Sequence, residues 1–487
     1  MDYECVIGLE VHVQLLTDTK IFCSCPNKFS HDPNTHVCPV CLGLPGSLPV
    51  LNRQAVEQGL KAALALDFTI PPLMKFDRKH YYYPDLPKNI QISQYDQPLA
   101  VRGGLDIVLD GKKRRVNITR AHLEEDAGKL IHSGAVSNVD LNRTGTPLLE
   151  IVSEPDIRSP KEARLYMEML RNILVYTGVT DGSMEEGSLR CDANISVRPF
   201  GESKLGVKNE IKNMNSFRGV ENALQLVYQE LCRQMDDHEE IKQVTWGYSI
   251  ESQKIFQMRV KEDANDYRYF PEPDLPSVAI SRELVERVRA ELPELPLAKG
   301  ERLRAEYGLG DYEADLLIAD RALADYFEEA AKRSGAPKEA ANWVINDVTR
   351  AVNDKGVPLK DFPLTPVALA DVIAAVQAKK INMPTARKIF AQIVAGDQRE
   401  VAAIIEQDNL TQVTDVAAIS EALKAAIAKN PQAEAEVRGG KAQTAMWFVG
   451  QIMQQLRGKA APDAVTAAVA EFFGLDPAMF AKNKKKK

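Results

Sequence analysis

The stretch Val6-Ile7-Gly8-Leu9-Glu10-Val11-His12-Val13-Gln14-Leu15 alternates between apolar residues at the odd positions from 7 to 15 and glycine or polar residues between them. This period of two predicts a β-strand with one face in the core. A strand places residues i and i+2 on the same face, roughly 7 Å apart, so Glu10 and His12 project together. A carboxylate beside an imidazole can bind a divalent metal or accept and donate protons. The alternative is a solvated face of an amphipathic edge strand.

Length and composition indicate a globular chain of about three domains. The 487 residues are 45% hydrophobic and 26% charged. The seven cysteines are too few and too unevenly placed for a disulfide framework. No run of 18 apolar residues and no basic segment followed by an apolar stretch occurs at the start. We therefore expect a cytoplasmic protein without membrane contact.

The net charge of −7 argues mildly against wholesale nucleic-acid binding, but the positive charge is clustered. Basic residues gather at 75–80, at 112–120 and in the terminal run at 482–487. The terminal lysines predict a disordered tail. The two internal clusters are either phosphate-facing patches or ordinary solvated surface.

Residues 1–292 are rich in glycine, proline and alternating segments, and they predict an α+β domain built on antiparallel sheet. Further strands are expected at 91–95, 105–109 and 115–120. Helices are expected at 53–65, 160–177 and 218–236, the second of them after an N-cap and N1 pair at Ser159-Pro160.

Beyond Pro293 and Pro296 the chain is alanine-rich and helical. A polar stretch at 406–409 divides this part into an all-α domain at 293–407 and a small all-α tail domain at 408–478, followed by the disordered lysine-rich tail at 479–487. The expected core of the tail domain is Trp447, Phe448, Ile452, Met453, Phe472 and Phe473.

Four cysteines form two close pairs, Cys23-Ser24-Cys25 and Cys38-Pro39-Val40-Cys41. The sequence around them is typical of turns, and two pairs of thiolates can supply the four tetrahedral ligands that structural zinc requires. The alternatives are four free thiols or a redox CxxC pair. The paired spacing favours zinc, and a closed set of four ligands indicates a structural rather than a catalytic ion. The remaining three cysteines sit singly in apolar contexts and are expected in the core.

Acidic residues recur in strand positions of the same domain. Three acids follow one strand at 124–126, Glu150 lies isolated within an apolar strand, and Asp192 and Glu210 lie on polar faces of adjoining strands. Oxygen ligands with one imidazole suit magnesium or manganese, and interleaved basic residues suit nucleotide phosphates. A solvated, salt-bridged surface is the alternative for any single acid.

Several nucleotide and hydrolase motifs are missing. No G-x-x-x-x-G-K-[ST] occurs, since Gly440-Lys441 and Gly458-Lys459 do not complete it. No G-x-G-x-x-G follows a strand, and neither a serine-rich amidase signature nor a nucleophile elbow is present.

Long motifs at 8–12, 76–88, 122–129, 142–148 and 266–274 resemble the B subunit of the glutamine-dependent aspartyl/glutamyl-tRNA amidotransferases. The last two read Asn-Arg-Thr-Gly-Thr-Pro-Leu and Asp-Tyr-Arg-Tyr-Phe-Pro-Glu-Pro-Asp. The resemblance covers nearly the whole chain. It implies a cradle-shaped catalytic domain, a helical domain and a tail domain that binds the elbow of tRNA.

The resemblance also implies an activity, that of a carbon–nitrogen ligase. The family uses ATP and magnesium to phosphorylate the side-chain carboxylate of Glu or Asp misattached to tRNA, and ammonia then displaces phosphate to give Gln-tRNA or Asn-tRNA. The ammonia comes from a partner amidase (glutaminase), the A subunit, and a small C subunit completes a heterotrimer.

Matched residue by residue, the resemblance implies three groups of site residues. The implied magnesium ligands are His12, Glu125 and Glu150, with Glu10 beside them. The implied catalytic residues of the same pocket are Lys79, Asp192 and Glu210. The implied zinc ligands are Cys23, Cys25, Cys38 and Cys41. One departure is visible, because Thr245 is followed by Trp246 where relatives tend to carry arginine.

Two rival hypotheses remain open. One is a zinc-containing tRNA-binding scaffold without chemistry, which rests on the cysteines and the helical tail. The other is a metal-dependent phosphoesterase, which rests on the acids alone.

Overall fold

A computed structural model describes residues 3–260, 266–412, 416–456, 460 and 462–476. The chain divides into two compact units, Met1–Ala298 and Lys299–Lys487. The predicted disordered tail at 479–487 lies outside the described residues. Among the described residues, no helix combines the length and the apolar character needed to cross a membrane.

Among the described residues, the first unit contains the strands and the helices that precede Pro296. The strands are β1 (Tyr3–Gln14), β2 (Leu73–Met74), β3 (Asp77–His80), β4 (Ile90–Ser93), β5 (Ala100–Leu109), β6 (Lys112–Glu125), β7 (Lys129–Ser133), β8 (Val136–Asp140), β9 (Pro147–Ser153), β10 (Leu189–Pro199), β11 (Asn209–Met214), β12 (Val244–Ser249), β13 (Lys254–Val260), β14 (Phe270–Pro271) and β15 (Val278–Ala279). The helices are α1 (Arg53–Ala65), α2 (Pro160–Tyr176), α3 (Phe217–Asp236) and α4 (Arg282–Ala290).

One large sheet dominates this unit. Within the described residues it has eight strands in the order β13-β12-β11-β10-β1-β9-β6-β5. Every neighbouring pair is antiparallel except β11 and β12, which are parallel. The fold is therefore mixed α and β with a mostly antiparallel sheet.

Strand β1 lies in the middle of the sheet, between β9 and β10. The apolar residues at the odd positions from 7 to 15 are at most 1% exposed. They pack in the main core with α1, α2 and α3. The predicted strand is thus confirmed, but it is a central strand rather than an edge strand. The backbone that carries its polar face is therefore hydrogen-bonded to a neighbouring strand on each side.

The helices that cover this core begin where the sequence predicted. Asn52, Ser159 and Ser216 cap α1, α2 and α3 by accepting a hydrogen bond from a backbone amide of the first turn. Such caps satisfy amides that have no partner inside the helix. The predicted Ser159-Pro160 helix start is confirmed.

From Pro296 onward the described chain is helical. The elements are α5 (Pro296–Tyr307), α6 (Asp311–Ile318), α7 (Arg321–Ser334), α8 (Pro337–Asn342), a π-helical turn (Trp343–Val348), α9 (Thr349–Lys355), a 3₁₀ turn (Leu359–Asp361), α10 (Pro366–Gln377), α11 (Met383–Val394), α12 (Val401–Gln407), α13 (Val416–Lys429), α14 (Pro431–Arg438), α15 (Ala442–Gln455) and α16 (Pro462–Phe473).

Two separate hydrophobic cores lie in this helical part. The first extends from Leu303 to Leu410, and the second from Ile419 to Val469. The predicted boundary at 407/408 stays a prediction, although Leu410 packs with the first core. In the second core Phe448 and Ile452 are buried, whereas Trp447 is 40% exposed. Phe448 therefore faces this core, whereas its neighbour Trp447 lies toward the solvent-facing side of α15.

A candidate metal and phosphate site on the central strands

Three strands place a His–Glu–His row across the polar face of the sheet. His12 on β1 is the register partner of Glu150 on β9, and Glu150 is the register partner of His122 on β6. Register partners in neighbouring strands point to the same face. Glu10 and Glu124 lie two residues along their strands from the two histidines and therefore share that face.

Two imidazoles and two carboxylates alternate around a closed ring, which we call the His–Glu ring (His12, Glu150, His122 and Glu124). His12 Nε2 lies 3.3 Å from Glu150 Oε2 and 3.7 Å from Glu124 Oε1. His122 Nε2 lies 3.4 Å from the same Glu150 oxygen and 3.6 Å from Glu124 Oε2. Glu10 Oε1 reaches His12 Nε2 at 3.8 Å from outside the ring. Glu150 thus bridges both histidines.

The surroundings shift the pKa values of these groups. Burial lowers the pKa of His12, but the hydrogen bond to Glu150 and the charges of Glu124 and Glu10 outweigh it and raise the pKa to about 9. Burial would raise the pKa of Glu150, yet His122 and His12 hold it well below its usual range. Glu10 has a raised pKa because burial and the Glu150 charge disfavour its ionised form. The ring therefore pairs a cationic imidazole with ionised carboxylates.

Glu125 lies apart from this ring. Its side chain accepts a hydrogen bond from Lys88 Nζ and one of 2.9 Å from the backbone amide of Ile92. Side chains alternate along β6, so Glu124 shares the face of His122 while Glu125 points to the other side. The family resemblance implies Glu125 as a magnesium ligand, and that role stays a prediction, but the geometry favours Glu124.

Lys79 on β3 lies beside the His–Glu ring. Burial lowers its pKa, but the negative charges of Glu124 and, more weakly, Glu150 raise it above its usual value. Its ammonium also sits 4.9 Å from the ring centre of Tyr267 and 5.8 Å from that of Tyr81. Lys79 therefore offers a fixed positive charge next to the acidic face.

Asp192 and Glu210 also come together on the polar face. Lys212 Nζ contacts Asp192 Oδ2 at 2.5 Å and Glu210 Oε1 at 3.1 Å. Asp192 is the register partner of Glu10, so this cluster continues the row of charged residues on β1. Thr245, the residue before Trp246, donates a hydrogen bond of 3.2 Å to Glu210.

A cleft with a volume of about 210 Å³ lies along the same face of the sheet. Gly8, Glu10, Asn194, Ser196 and Lys208 are among the residues that line it. A side chain at Gly8 would come within 4 Å of Ser153 and Pro155 and would narrow the cleft. The cleft provides space directly beside the carboxylate of Glu10.

The donor set suits a hard divalent ion. Glu10, His12 and Glu150 form one group whose ligand atoms lie within 4.8 Å of one another, and His122, Glu124 and Glu150 form a second. Carboxylate oxygens with one or two imidazoles fit magnesium or manganese. His122 and Glu124 are ligand candidates that the sequence alone did not single out. The same i, i+2 alternation that found Glu10 and His12 would have found them, since Leu123 between them is apolar and fully buried.

The four cysteines converge in the loop after β1. Their sulfur atoms lie within 4.8 Å of one another, so the predicted cluster that could hold a metal is confirmed, whereas the identity of the ion stays a prediction. The Cys38 backbone amide donates to Cys41 Sγ at 3.2 Å. A hydrogen bond from Cys23 lowers the pKa of Cys41 to about 5, which favours a thiolate in this loop. Four sulfur donors at this separation fit a tetrahedral zinc ion.

A buried lysine supports this cluster. Lys20 is fully buried, and its ammonium donates to the backbone oxygen of His36 at 2.6 Å and lies 3.9 Å from Cys41 Sγ. A buried ammonium needs a negative partner, so its position indicates that the cluster carries negative charge.

Comparison with known proteins gives two family matches. Residues 5–286 match the family described as the GatB/GatE catalytic domain. Residues 325–472 match the family described as the GatB domain. The first match contains the sheet, the His–Glu ring and the cysteine cluster, and the second lies within the helical part.

Curated relatives align over almost the whole chain. A protein of Carboxydothermus hydrogenoformans is 51% identical, with 95% of this chain and 97% of the relative covered. Proteins of Thermodesulfovibrio yellowstonii and Moorella thermoacetica are 49% and 48% identical and cover 96% and 97% of this chain and 99% and 100% of the relatives. All three are named as the B subunit of an aspartyl/glutamyl-tRNA(Asn/Gln) amidotransferase.

Proposed function

This chain belongs to the family of aspartyl/glutamyl-tRNA(Asn/Gln) amidotransferase B subunits, and from that membership we propose that it converts misacylated Glu-tRNA(Gln), Asp-tRNA(Asn) or both to the amidated forms. The proposed reaction consumes ATP. It first phosphorylates the side-chain carboxylate of the attached amino acid, and it then exchanges phosphate for ammonia. This makes the protein the ligase component of a multi-subunit carbon–nitrogen ligase.

The observation that carries the proposal is the His–Glu ring with Lys79 beside it. The donors fit a hard cation, and the lysine adds a positive charge at the same place. Phosphoryl transfer is catalysed mainly by positioning and by stabilisation of phosphate charge. A site of this kind therefore suits a reaction in which ATP donates its terminal phosphoryl group.

Glu10, His12, Glu124 and Glu150 would hold magnesium, and the bound ion would neutralise charge on the phosphates. His122 holds Glu150 and Glu124 in place through its Nε2 contacts. Lys79 supplies a second positive charge, and the tyrosine rings beside it fix its position. Asp192 and Glu210, held by Lys212, are proposed to orient the incoming substrate or ammonia.

The proposed reaction has two chemical steps, phosphorylation of the carboxylate and then its amidation. A free carboxylate is a poor electrophile, so its oxygen first attacks the terminal phosphorus of ATP, giving an acyl phosphate and ADP. Ammonia then adds to the acyl carbon, inorganic phosphate leaves with the bonding electron pair, and a proton is lost to solvent. Water must be kept out between the steps because it would hydrolyse the acyl phosphate.

The proposed partners follow from this chemistry. The sequence carries no amidase signature, so ammonia has to come from a partner glutaminase, and a small third protein completes the proposed heterotrimer. Misacylated tRNA is the substrate, which places the proposed reaction in the cytoplasm with the rest of translation. We propose that residues 1–292 form the catalytic cradle, that 293–407 form a helical domain and that 408–478 form the tRNA-binding tail.

The test is an assay with the full-length chain and its partner proteins. Misacylated Glu-tRNA or Asp-tRNA is supplied with ATP, magnesium and ammonium, and both ADP and amidated aminoacyl-tRNA are measured. We expect each amide formed to match one ADP. Glu150→Gln should lower both products about 100-fold, whereas Glu286→Gln, a highly exposed glutamate of the same unit, should leave them unchanged.

Two results would contradict the proposal. Binding of tRNA without any ATP consumption would support the scaffold hypothesis. Phosphate release that needs neither misacylated tRNA nor a nitrogen donor would support a phosphoesterase. Supplying the two misacylated tRNAs separately decides which amino acid is used.

A further inference from the structure

Two adjoining cavities lie among the helices of the second unit. Their volumes are about 390 and 330 Å³, and ligand pockets in proteins usually begin at about 300 Å³. Both cavities are lined by Asp347, Arg350 and Arg387, so they form one cleft. We call it the helical cleft. Its walls come from residues 342–355, around the π-helical turn, and from residues 383–395, which include α11.

The helical cleft carries an excess of positive charge. Arg350, Lys355 and Arg387 line it together with a single carboxylate, that of Asp347. Asp347 Oδ1 lies 2.9 Å from the Arg350 guanidinium, whereas no acidic side chain of the described residues forms an ion pair with the exposed Lys355 or Arg387. A phosphate monoester carries a charge of about −1.5 to −2 near pH 7, and arginine matches its geometry. The charge of the cleft therefore suits a phosphate group.

An aromatic pair forms the apolar part of the helical cleft. Trp343 lines one cavity and Phe390 lines the other, and their ring centres are 5.5 Å apart with planes at 35°. Trp343 is buried, so it supports the Phe390 ring, which is itself only partly buried. Val394, one turn further along α11, continues the apolar wall. A planar ring of a ligand can stack on the accessible side of Phe390.

The π-helical turn Trp343–Val348 shapes one wall of the helical cleft. Thr349 closes the turn, because its backbone amide and its hydroxyl both donate to the backbone oxygen of Val344, five residues earlier. The side-chain amide of Asn346 donates to the Asn342 backbone oxygen at 3.1 Å. Turns of this kind are rare and occur frequently at functional sites. The turn is thus a second indication, independent of charge, that the cleft binds a ligand.

We propose that the helical cleft binds a small organic phosphate that carries a planar ring, of the nucleoside monophosphate class. The phosphate would contact the guanidinium of Arg387 and the ammonium of Lys355, and the ring would lie against Phe390. This ligand is additional to the ATP of the proposed function. The inference does not rest on that function, because every residue of the cleft belongs to the second unit.

The shape of the helical cleft favours a small molecule over the phosphate backbone of tRNA. A nucleic-acid backbone is contacted mainly by cations on an exposed surface. Such a contact would leave the apolar wall at Phe390 and Val394 without a partner. A ligand with one ring and one phosphate contacts both the apolar and the cationic part.

Photolabelling locates the site and measures its affinity. The full-length chain is irradiated with the photoreactive nucleotide azido-AMP over a range of concentrations, and labelled peptides are identified by mass spectrometry. We expect label within residues 342–355 or 383–395. Arg387→Gln should raise the half-saturating concentration about tenfold, since a charged hydrogen bond to phosphate is lost. Lys388→Gln is the matched control, because Lys388 is the next exposed cation of α11 and lines neither cavity. It should leave labelling unchanged.

Competition separates the two parts of the ligand. Unlabelled AMP should displace the probe at lower concentration than ribose 5-phosphate, which lacks the base, or adenosine, which lacks the phosphate. Phe390→Leu keeps an apolar side chain but removes the aromatic ring. It should weaken competition by AMP about threefold and leave competition by ribose 5-phosphate unchanged.

Three outcomes would overturn the inference. Label confined to the first unit would assign the probe to the proposed ATP site. Equal half-saturation in Arg387→Gln and Lys388→Gln would exclude the phosphate contact. Displacement of the probe by deacylated tRNA but not by AMP would assign the cleft to the tRNA backbone. None of these measurements depends on ADP or amide formation, so failure of the inference is distinguishable from failure of the proposed function.

Discussion

Glu150 occupies the central position of the His–Glu ring because one of its oxygens lies within 3.4 Å of both imidazoles. An isolated carboxylate in an apolar strand would be costly to bury, and the two histidines offset that cost. The same arrangement leaves a set of oxygen and nitrogen donors that a divalent ion can take over. The ring is thus held by imidazole–carboxylate contacts of 3.3–3.7 Å and is suited to metal binding.

Two adjacent glutamates allow a direct test of the ring. Glu124→Gln removes a carboxylate that contacts both histidines, so we expect amide formation to fall about 100-fold with little loss of stability. Glu125→Gln weakens the buried contact with Lys88 instead. We expect it to lower the free energy of unfolding by about 2 kcal/mol while activity stays within a few-fold.

Steady-state assays and urea denaturation of the two variants measure these effects. A large activity loss in Glu125→Gln together with normal activity in Glu124→Gln would reverse the assignment and restore Glu125 as the ligand.

Metal binding should depend on pH through His12. Its pKa of about 9 in the metal-free protein means that the imidazole carries a proton at neutral pH, and a bound ion must displace that proton. The affinity for Mn²⁺ or Mg²⁺ should therefore rise between pH 7 and pH 9, by up to about tenfold per pH unit, and level off above pH 9. Titration calorimetry at several pH values measures this. Affinity that does not change over this range would contradict the raised pKa.

Site residues that can be recognised within a single strand could be predicted from the sequence. Alternation along β1 was enough to identify Glu10 and His12, and the apolar neighbours of Glu150 marked it as unusual. To choose between Glu124 and Glu125, one has to know which of them lies on the same face of β6 as His122. The sharing of Glu150 by two histidines depends on the register of three strands that are distant in sequence, which no local pattern encodes.

Among the elements, the loop between β1 and α1 contains the four clustered cysteines that could hold a metal ion. Backbone hydrogen bonds such as Lys20 N–H to Cys25 O and Leu42 N–H to Cys38 O order parts of this loop, and its four cysteines lie clustered near the buried Lys20. Structural zinc sites contribute directly to folding free energy. We therefore expect metal binding by the cysteine cluster to stabilise this loop.

Cys38→Ser should lower zinc content from about one ion per chain to near zero and lower the melting temperature by several degrees. Elemental analysis and calorimetry measure both. The control variant is Cys232→Ser, which changes a partly buried cysteine outside the cluster. We expect this variant to bind as much zinc as the unchanged protein. Equal zinc content in the two variants would contradict the site.

Helices and strands could be predicted where residues close together in the sequence determine them. The caps at Asn52 and Ser159 fix the starts of α1 and α2 through contacts within one turn, so the sequence contains all the information needed. The position of β1 in the sheet and the parallel pairing of β11 with β12 depend on contacts between distant segments. The two-residue strands β14 and β15 have too few residues to show any period.

For the whole molecule, the described residues of the helical part have two hydrophobic cores, and the last helices share the second of them. Leu410 belongs to the first of these cores and Ile419 to the second. A truncation that preserves the first core should therefore end after residue 412.

Removing residues 413–487 should weaken tRNA binding about tenfold or more while the first unit keeps its fold, because the proposed tail supplies part of the tRNA surface. Filter binding at fixed salt measures the affinity, and zinc content together with limited proteolysis serves as the control for the first unit. Unchanged affinity would show that the tail does not contact tRNA.

The central position of β1 has a consequence for synthesis of the protein on the ribosome. β1 emerges well before its two partners, which are residues 147–153 and 189–199. At usual elongation rates the strand waits on the order of ten seconds before β10 emerges. During that time its apolar face and both hydrogen-bonding edges are open to wrong pairing. We therefore expect newly made chains to need chaperone protection until residue 199 has left the ribosome, and the candidate metal ligands on β1 to reach their final arrangement only after that point.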